Sequence, residues 1–539
     1  MSGYARRELV AGIGMPVAKP SARWWQTLPA ALAISLAFAV PLSLSMTPPL
    51  IDLPTHVARY HVELNIDSSA ALQHYFSFAW RFIPNLGLDI LIIPLAALVG
   101  LQAGVALLVA LIPVATVFGL MWIAREAHDT PPPTALFALP LALSYPLVFG
   151  FVNSCLATAL ALVAFGWWLR LSRQGRYRLR ALAFAIIAPA ILTAHIIGYG
   201  TFGLLAFGSI LGQRRAEGVS NARAAREAVV ACLPIAWPLV LLLLWQTSSG
   251  ATTTGWMNWQ LKAMWLIMIL RDRVQWIDVA SVLVLYGVAT LPVWRRRSFT
   301  IAPALGVPAL LLWCAALGLP TRMMGSEFAS VRLIPFALAI TILAVRPRQE
   351  PAAWIAPIAL CFIALRLGLT IASAAAADAQ IKHELLALDH VKPGSTVAAF
   401  RLLRCEREWA PPRLRHLASY ATTRRDALVN DQFAEVESQL LAIRPSGNPF
   451  GGRALPIPGV FEHECDRWEL PTLSASLAAL PHSGLDYLWL ADVPANLRPT
   501  DRRFTPVWQD GKTILYYVSN VAAASDTNPV PARNQTDNN

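Results

Sequence analysis

The chain has 539 residues, of which 56% are hydrophobic and only 14% charged, with a net charge of +12. A single water-soluble globule is excluded, because long apolar runs recur along the sequence and mark a polytopic α-helical membrane protein. The positive balance does not call for nucleic acid: arginines gather in short loops at alternate ends of the apolar runs, the signature of cytoplasmic loops.

The N-terminal segment carries Arg6, Arg7, Lys19 and Arg23 and is expected in the cytoplasm. The first apolar run, Thr27 to Met46, is too long for a signal-peptide core and lacks a small-residue cleavage site, so it reads as a retained outward span. The next stretch, 47–100, is then an outer-face loop. It opens on "MTPPLIDLPTHVARYHVELN", where Asp52, His56, Arg59, His61 and Glu63 crowd together among three prolines. Pro54 is suited to open a helix that would place His56, Tyr60 and Glu63 on one face. Asp52 would stand just before that helix, as a cap, a solvated loop residue or a general base. The run "NLGLDILIIPLAALVG" is short and holds Pro94, so it reads as interfacial or re-entrant.

Farther on, Leu101 to Arg125 returns inward, Thr134 to Gly150 goes out, and Val152 to Leu171 comes back to an Arg-rich loop. Leu179 to Gly212 is too long for one span and breaks near His195 into an outward and an inward helix. Ala228 to Trp245, Ile277 to Trp294, Ile301 to Leu319, Val331 to Val345 and Ala353 to Ala374 complete about eleven spans. The C-terminal part then lies outside, in the periplasm. Residues 1–374 form the membrane domain and 375–520 a small α/β domain. In the latter "HVKPGSTVAAF" reads as a turn leading into a short buried strand, "YLWLADV" and "TILYYVS" as further strands and "DQFAEVESQLLAI" as a helix. The polar tail 521–539 reads as disordered.

Cys155, Cys232, Cys314 and Cys361 sit in apolar runs, whereas Cys405 and Cys465 lie in the outer domain, where an oxidising compartment makes them a candidate disulfide. The ionisable residues expected on the outer face also include Arg81, Asp89, Lys262, Arg271, Asp272, Arg273, Arg322, Glu327 and Arg332, with His195 at the outer end of its helix.

One early acid in the first outer loop, within "PPLIDLPTHVARYH", is followed by the segments "SSAALQHYFSFAWRF" and "NLGLDILIIPLAALVG", many further spans and an outer soluble domain. The segments "GFVNSCLATALALVAFGWWLRL" and "FASVRLIPFALAI" add to the pattern. The chain thereby resembles the GT-C superfamily of integral-membrane glycosyltransferases, in a bacterial branch. The resemblance implies a multi-pass protein of the inner membrane that moves a hexose or pentose from a polyprenyl-phosphate donor to a glycan, lipid or protein acceptor at the outer face. It implies Asp52 as general base, with Arg322, Arg332, Lys262, Arg59, His56 and His195 as candidates to hold the donor phosphate. Many relatives pair two acids in the first loop, whereas here Leu53 and Pro54 follow Asp52 and the second outer loop offers Asn153. A hard divalent cation wants several carboxylates, so no cofactor is implied and any metal would assist only weakly. A lipid-linked saccharide transporter or flippase, or a non-catalytic membrane scaffold, is the alternative. A transport path would need charges at the midplane, and the span interiors hold almost none, Arg366 excepted.

Overall fold

The computed structural model describes residues 23–519 apart from 129, 246–252, 324–326, 351, 407, 435–438, 452–454 and 467–469. Arg6, Arg7 and Lys19 and the tail 521–539 lie outside the described residues. Six described helices are long and apolar enough to cross a membrane: Leu101–His128, Val152–Arg173, Tyr177–Ala194, Ile196–Ala216, Asn221–Leu244 and Ile355–His390. Six more apolar helices, among them Leu28–Ala37, Gly87–Val99 and Ile334–Ala344, have only 10–17 residues. About eleven full-length spans are therefore not what the helix lengths give. Proline accounts for much of the shortening, since its ring removes a donor and collides with the preceding turn. The first apolar run divides into Leu28–Ala37 and Val40–Ser43, the second piece opening on Pro41. The 134–150 run becomes a 3-10 stretch, Pro133–Leu143, holding Pro140, followed by the short helix Tyr145–Phe149. The break expected near His195 is present: one helix ends at Ala194 and the next starts at Ile196.

Large apolar side chains face outward on several helices, including Leu182, Ile186, Leu233, Leu243 and Leu310. Water would oppose that arrangement and hydrocarbon would not. The Gly87–Val99 helix is amphipathic in the same sense: Leu88, Asp89 and Ile92 are buried, while Ile90, Leu91, Ile93 and Leu98 are exposed.

The helix Ile355–Glu384 runs through the composition change near 375 and carries the chain out of the apolar bundle. It leads to a six-stranded mixed sheet. Thr396–Leu403 sits inside that sheet, parallel to Leu428–Val429, Gly459–Phe461 and Tyr487–Ala491. Thr513–Val518 pairs antiparallel with Tyr487–Ala491 and then with Phe504–Asp510. The strand burial is near complete in Thr396–Leu403 and Tyr487–Ala491, as expected for continuous apolar runs in a sheet centre. Of the helix expected over "DQFAEVESQLLAI", residues 435–438 lie outside the described residues, and the described residues on either side of them are not helical. Leu441–Ile443 is a strand, paired antiparallel with Phe76–Phe78 of the 47–100 loop, and Leu441 is buried against Val62, Leu72 and Phe76. Pairing and burial with a distant strand outweigh local helical spacing in so short a segment.

The sheet domain rests on the 47–100 loop. One apolar cluster joins Leu53, Val57 and Tyr60 to Leu88 and Ile92 on the membrane side and to Leu388, Val397, Leu417 and Tyr487 on the sheet side. The loop helix Leu53–Asn65 is thus clamped between the two parts.

Candidate active site

Pro54 stands in the first turn of Leu53–Asn65, where its missing N–H costs nothing. Asp52 holds the N-cap position, yet its side chain makes no capping hydrogen bond. The backbone does the anchoring: Ile51 N–H donates to Val148 O at 3.1 Å and Asp52 N–H to Phe149 O at 2.9 Å. Thr55 Oγ1 donates to Asp52 O at 2.6 Å. The partner loop turns at Gly150, whose φ of +100° suits glycine, and a Cβ there would lie 2.8 Å from Asp52 N. The Asp52 carboxylate, released from capping, is buried.

Its nearest cationic partner comes from far along the chain. Asp52 Oδ1 lies 3.6 Å from His416 Nε2, and His416 Nδ1 donates to Asp431 Oδ1 at 2.6 Å. The ring of Phe433 packs edge-on against His416 at 5.4 Å and against His56 at 5.9 Å. Burial pushes the Asp52 carboxyl up to about 6, opposed by the charges of His416, Arg415 and Arg332. For His416, burial works against the charged form, but Asp431 and Asp52 outweigh it and the imidazole is raised above its ordinary value. Burial, then Arg59, His416 and Arg332, keep His56 well below its ordinary value. His56 is therefore neutral, and its Nδ1 is buried without a partner.

Arg332 stands just before the Ile334–Ala344 helix. Its guanidinium lies over the Phe151 ring at 4.1 Å, its Nη1 is 3.1 Å from His195 Nε2, and its Nη2 donates to Glu327 O at 3.1 Å. His195 caps the Ile196–Ala216 helix, its Nδ1 accepting from Ile197 N–H at 3.0 Å. Arginine only donates, and a neutral imidazole accepts at one nitrogen, so the helix cap and Arg332 compete for His195. Phe328 packs on Phe149 at 5.2 Å and has φ +59°, a strained value for a bulky residue.

The other expected donor ligands are engaged elsewhere. Arg59 is buried, ion-paired with Asp89 at 2.9 Å and hydrogen-bonded to Gln439. Asn153 completes that cluster, donating to Asp89 Oδ2 at 3.1 Å and to Asn85 O at 2.8 Å. Lys262 spends its ammonium on the carbonyls of Trp256, Leu317 and Leu319. Arg322 pairs with Glu327 in an exposed bridge. Glu63 is held up to about 8 by burial and by Asp89, so it is protonated at neutral pH and a poor base. His61 bonds Asp426 at 2.7 Å, tying the loop helix to the sheet domain. Thus Asp52, His56, His195 and Arg332 share one neighbourhood, and Arg59, Lys262 and Arg322 are committed to other partners. Among the described residues no three His, Cys, Asp or Glu side chains converge as metal ligands would.

His416, Arg415 and Asp431 were not among the sequence candidates. The local signal for Arg415 and His416 is the dense basic run in "EWAPPRLRHLASY", which starts at Glu408, and Asp431 lies beyond it. That run docks into the membrane part at several points. Arg413 donates to Pro49 O at 2.6 Å and pairs with Asp272 at 3.2 Å. Trp409 Nε1 donates to Asp278 Oδ2 at 2.7 Å, and Arg271 holds the carbonyls of Glu408, Trp409 and Ala410. Cys405, near the start of the run, is disulfide-bonded to Cys465 with a Cα–Cα distance of 5.8 Å. A cavity of about 920 Å³ opens beside it, lined by Arg404, Arg413, Arg415, Gln380, Glu464 and Lys512 among others.

No family model matches the chain, and no curated protein does. Among solved structures, the crystal structure of ArnT from Cupriavidus metallidurans bound to undecaprenyl phosphate is similar at 13% identity and a TM-score of 0.48, over 93% of this chain and 99% of that one.

Proposed function

We propose that this protein is a membrane glycosyltransferase that moves a sugar from a polyprenyl-phosphate donor to an acceptor hydroxyl, with Asp52 as general base. The observation that carries the reading is the buried Asp52 carboxylate, free of any capping bond, with His416 at 3.6 Å and the charges of Arg415 and Arg332 acting on it. A base that titrates near neutrality combines ionisation with a useful driving force for proton transfer.

In the reaction, the acceptor oxygen bonds to the anomeric carbon as that carbon's bond to the phosphate oxygen breaks. The bonding pair leaves with the phosphate, and the hydroxyl proton passes to Asp52. Arg332 is placed to hold the departing phosphate, because guanidinium meets phosphate oxygens in pairs. His56 and His195 add neutral hydrogen-bonding edges. Lys262, Arg322 and Arg59 are set aside, since Arg332, unlike them, is among the leading charges that act on Asp52. The outer surface of a bacterial inner membrane, with 375–520 in the periplasm, is the topology that suits this reading.

The transport alternative loses its one intramembrane cation. Arg366 is buried, but it bonds Asp278 at 2.6 Å and Leu270 O at 2.8 Å, and Asp278 also receives Trp409 of the docked loop. That is a lock between membrane and outer parts. The test is turnover in proteoliposomes given undecaprenyl-phosphate-linked hexoses and pentoses with membrane-extract acceptors. Release of free undecaprenyl phosphate that depends on acceptor is expected, and no release with any of the donors overturns the proposal.

A further inference from the structure

The sheet domain does more than sit beside the membrane part. The run 408–416 crosses to it and is fixed there by Trp409 on Asp278, Arg413 on Pro49 and Asp272, and Arg271 on three carbonyls. Its last residue is His416. Among the described residues no other imidazole of the sheet domain pairs with Asp52, and Asp431 orients that of His416 through Nδ1 at 2.6 Å, leaving Nε2 toward the carboxylate. The three groups form a carboxylate–imidazole–carboxylate row. Asp52 comes from the 47–100 loop, and His416 and Asp431 come from the sheet domain.

We propose that His416, aimed by Asp431, is a positioning residue that keeps the buried Asp52 carboxylate ionised, so that docking of the 408–416 run completes the site. The inference rests on the reading of Asp52 as base, and it names a partner that the first-loop acid cannot supply for itself. An isolated carboxylate under this much burial takes up a proton, and an adjacent cation opposes that. His416 is the largest of the opposing charges at Asp52, ahead of Arg415 and Arg332, while Asp431 pushes the other way. On the loop helix itself His56 is neutral and contributes no charge. Tyr145, from the helix packed beside Gly150, accepts from Arg271 Nη1 at 3.3 Å. Between about pH 6 and neutrality, then, the charge on His416 decides whether Asp52 can accept a proton.

Infrared difference titration of the detergent-purified full chain reads this without any substrate. The protonated-carboxyl band that is lost in Asp52→Asn is assigned to Asp52, and its midpoint is followed against pH. In the wild type the midpoint is expected near 6. In His416→Gln it is expected to rise by at least about one unit. Asp431→Asn loosens the imidazole's proton but also removes a charge that raises the Asp52 carboxyl, so its two effects oppose and the midpoint should move less than in His416→Gln. A structural role for His416 would lower the melting temperature and leave the midpoint in place. An unmoved midpoint in His416→Gln, or in His416→Asn should the first variant aggregate, overturns the proposal. Because no sugar donor is involved, this outcome is independent of whether the transfer assay succeeds.

Discussion

Replacing Asp52 by Asn separates catalysis from stability in a direction opposite to ordinary site damage. The carboxylate makes no capping bond and is buried. Asn keeps its shape, so the fold loses little. The carboxyl stands at about 6 against an ordinary 3.8, a rise of about two units, or up to about 3 kcal/mol at 1.36 kcal/mol per unit. The sign follows from proton counting. Between about pH 4 and 6 the folded state binds more protons than the unfolded one, so stability falls as pH rises through that window. Above it the penalty is fully present in the wild type and absent in Asp52→Asn. At pH 7 the variant should therefore melt higher than the wild type, by up to about 3 kcal/mol in stability, and the gap should close below about pH 4. Sugar transfer should drop by at least about 100-fold, the lower end of what general-base help contributes. Wild-type kcat/KM should rise with pH and level off above about 6, as Asp52 ionises. The assay pairs release of undecaprenyl phosphate with thermal melts at pH 4 and pH 7. Near-normal transfer by Asp52→Asn, or a melting temperature lowered at pH 7, would refute the reasoning.

Arg332→Ala should raise the donor KM by about 10- to 100-fold, the worth of a charged hydrogen bond to phosphate, with kcat less affected; unaltered donor kinetics would remove Arg332 from the phosphate site. Arg59→Ala should act through folding, costing about 3–5 kcal/mol because Asp89 is left buried and unpaired; unchanged melting would contradict that. Reduction of the Cys405–Cys465 bridge, or Cys405→Ser with Cys465→Ser, should cost about 2–4 kcal/mol and weaken transfer by loosening the run that carries His416; identical melts with and without reductant would argue against it.

What the sequence determined by itself follows from local rules. Apolar length and Arg placement marked a multi-pass helical protein. Pro54 after Asp52 marked a helix start, and the structure has that helix at Leu53–Asn65. The break at His195 and the strands at Thr396–Leu403, Tyr487–Ala491 and Thr513–Val518 were legible for the same reason: a period of hydrophobicity, or a run too long for one span, needs no distant information. Tertiary structure decided which charges stay available. Arg59, Lys262 and Arg322 have the chemistry to bind phosphate, yet Asp89, three carbonyls and Glu327 had already claimed them, and a side chain's partners are set by packing. Only the fold could bring His416 and Asp431 to an aspartate more than 350 residues earlier in the chain. No spacing rule links residues so far apart. The contact exists because the loop helix is buried on both faces, between the membrane bundle and the sheet that closes over it.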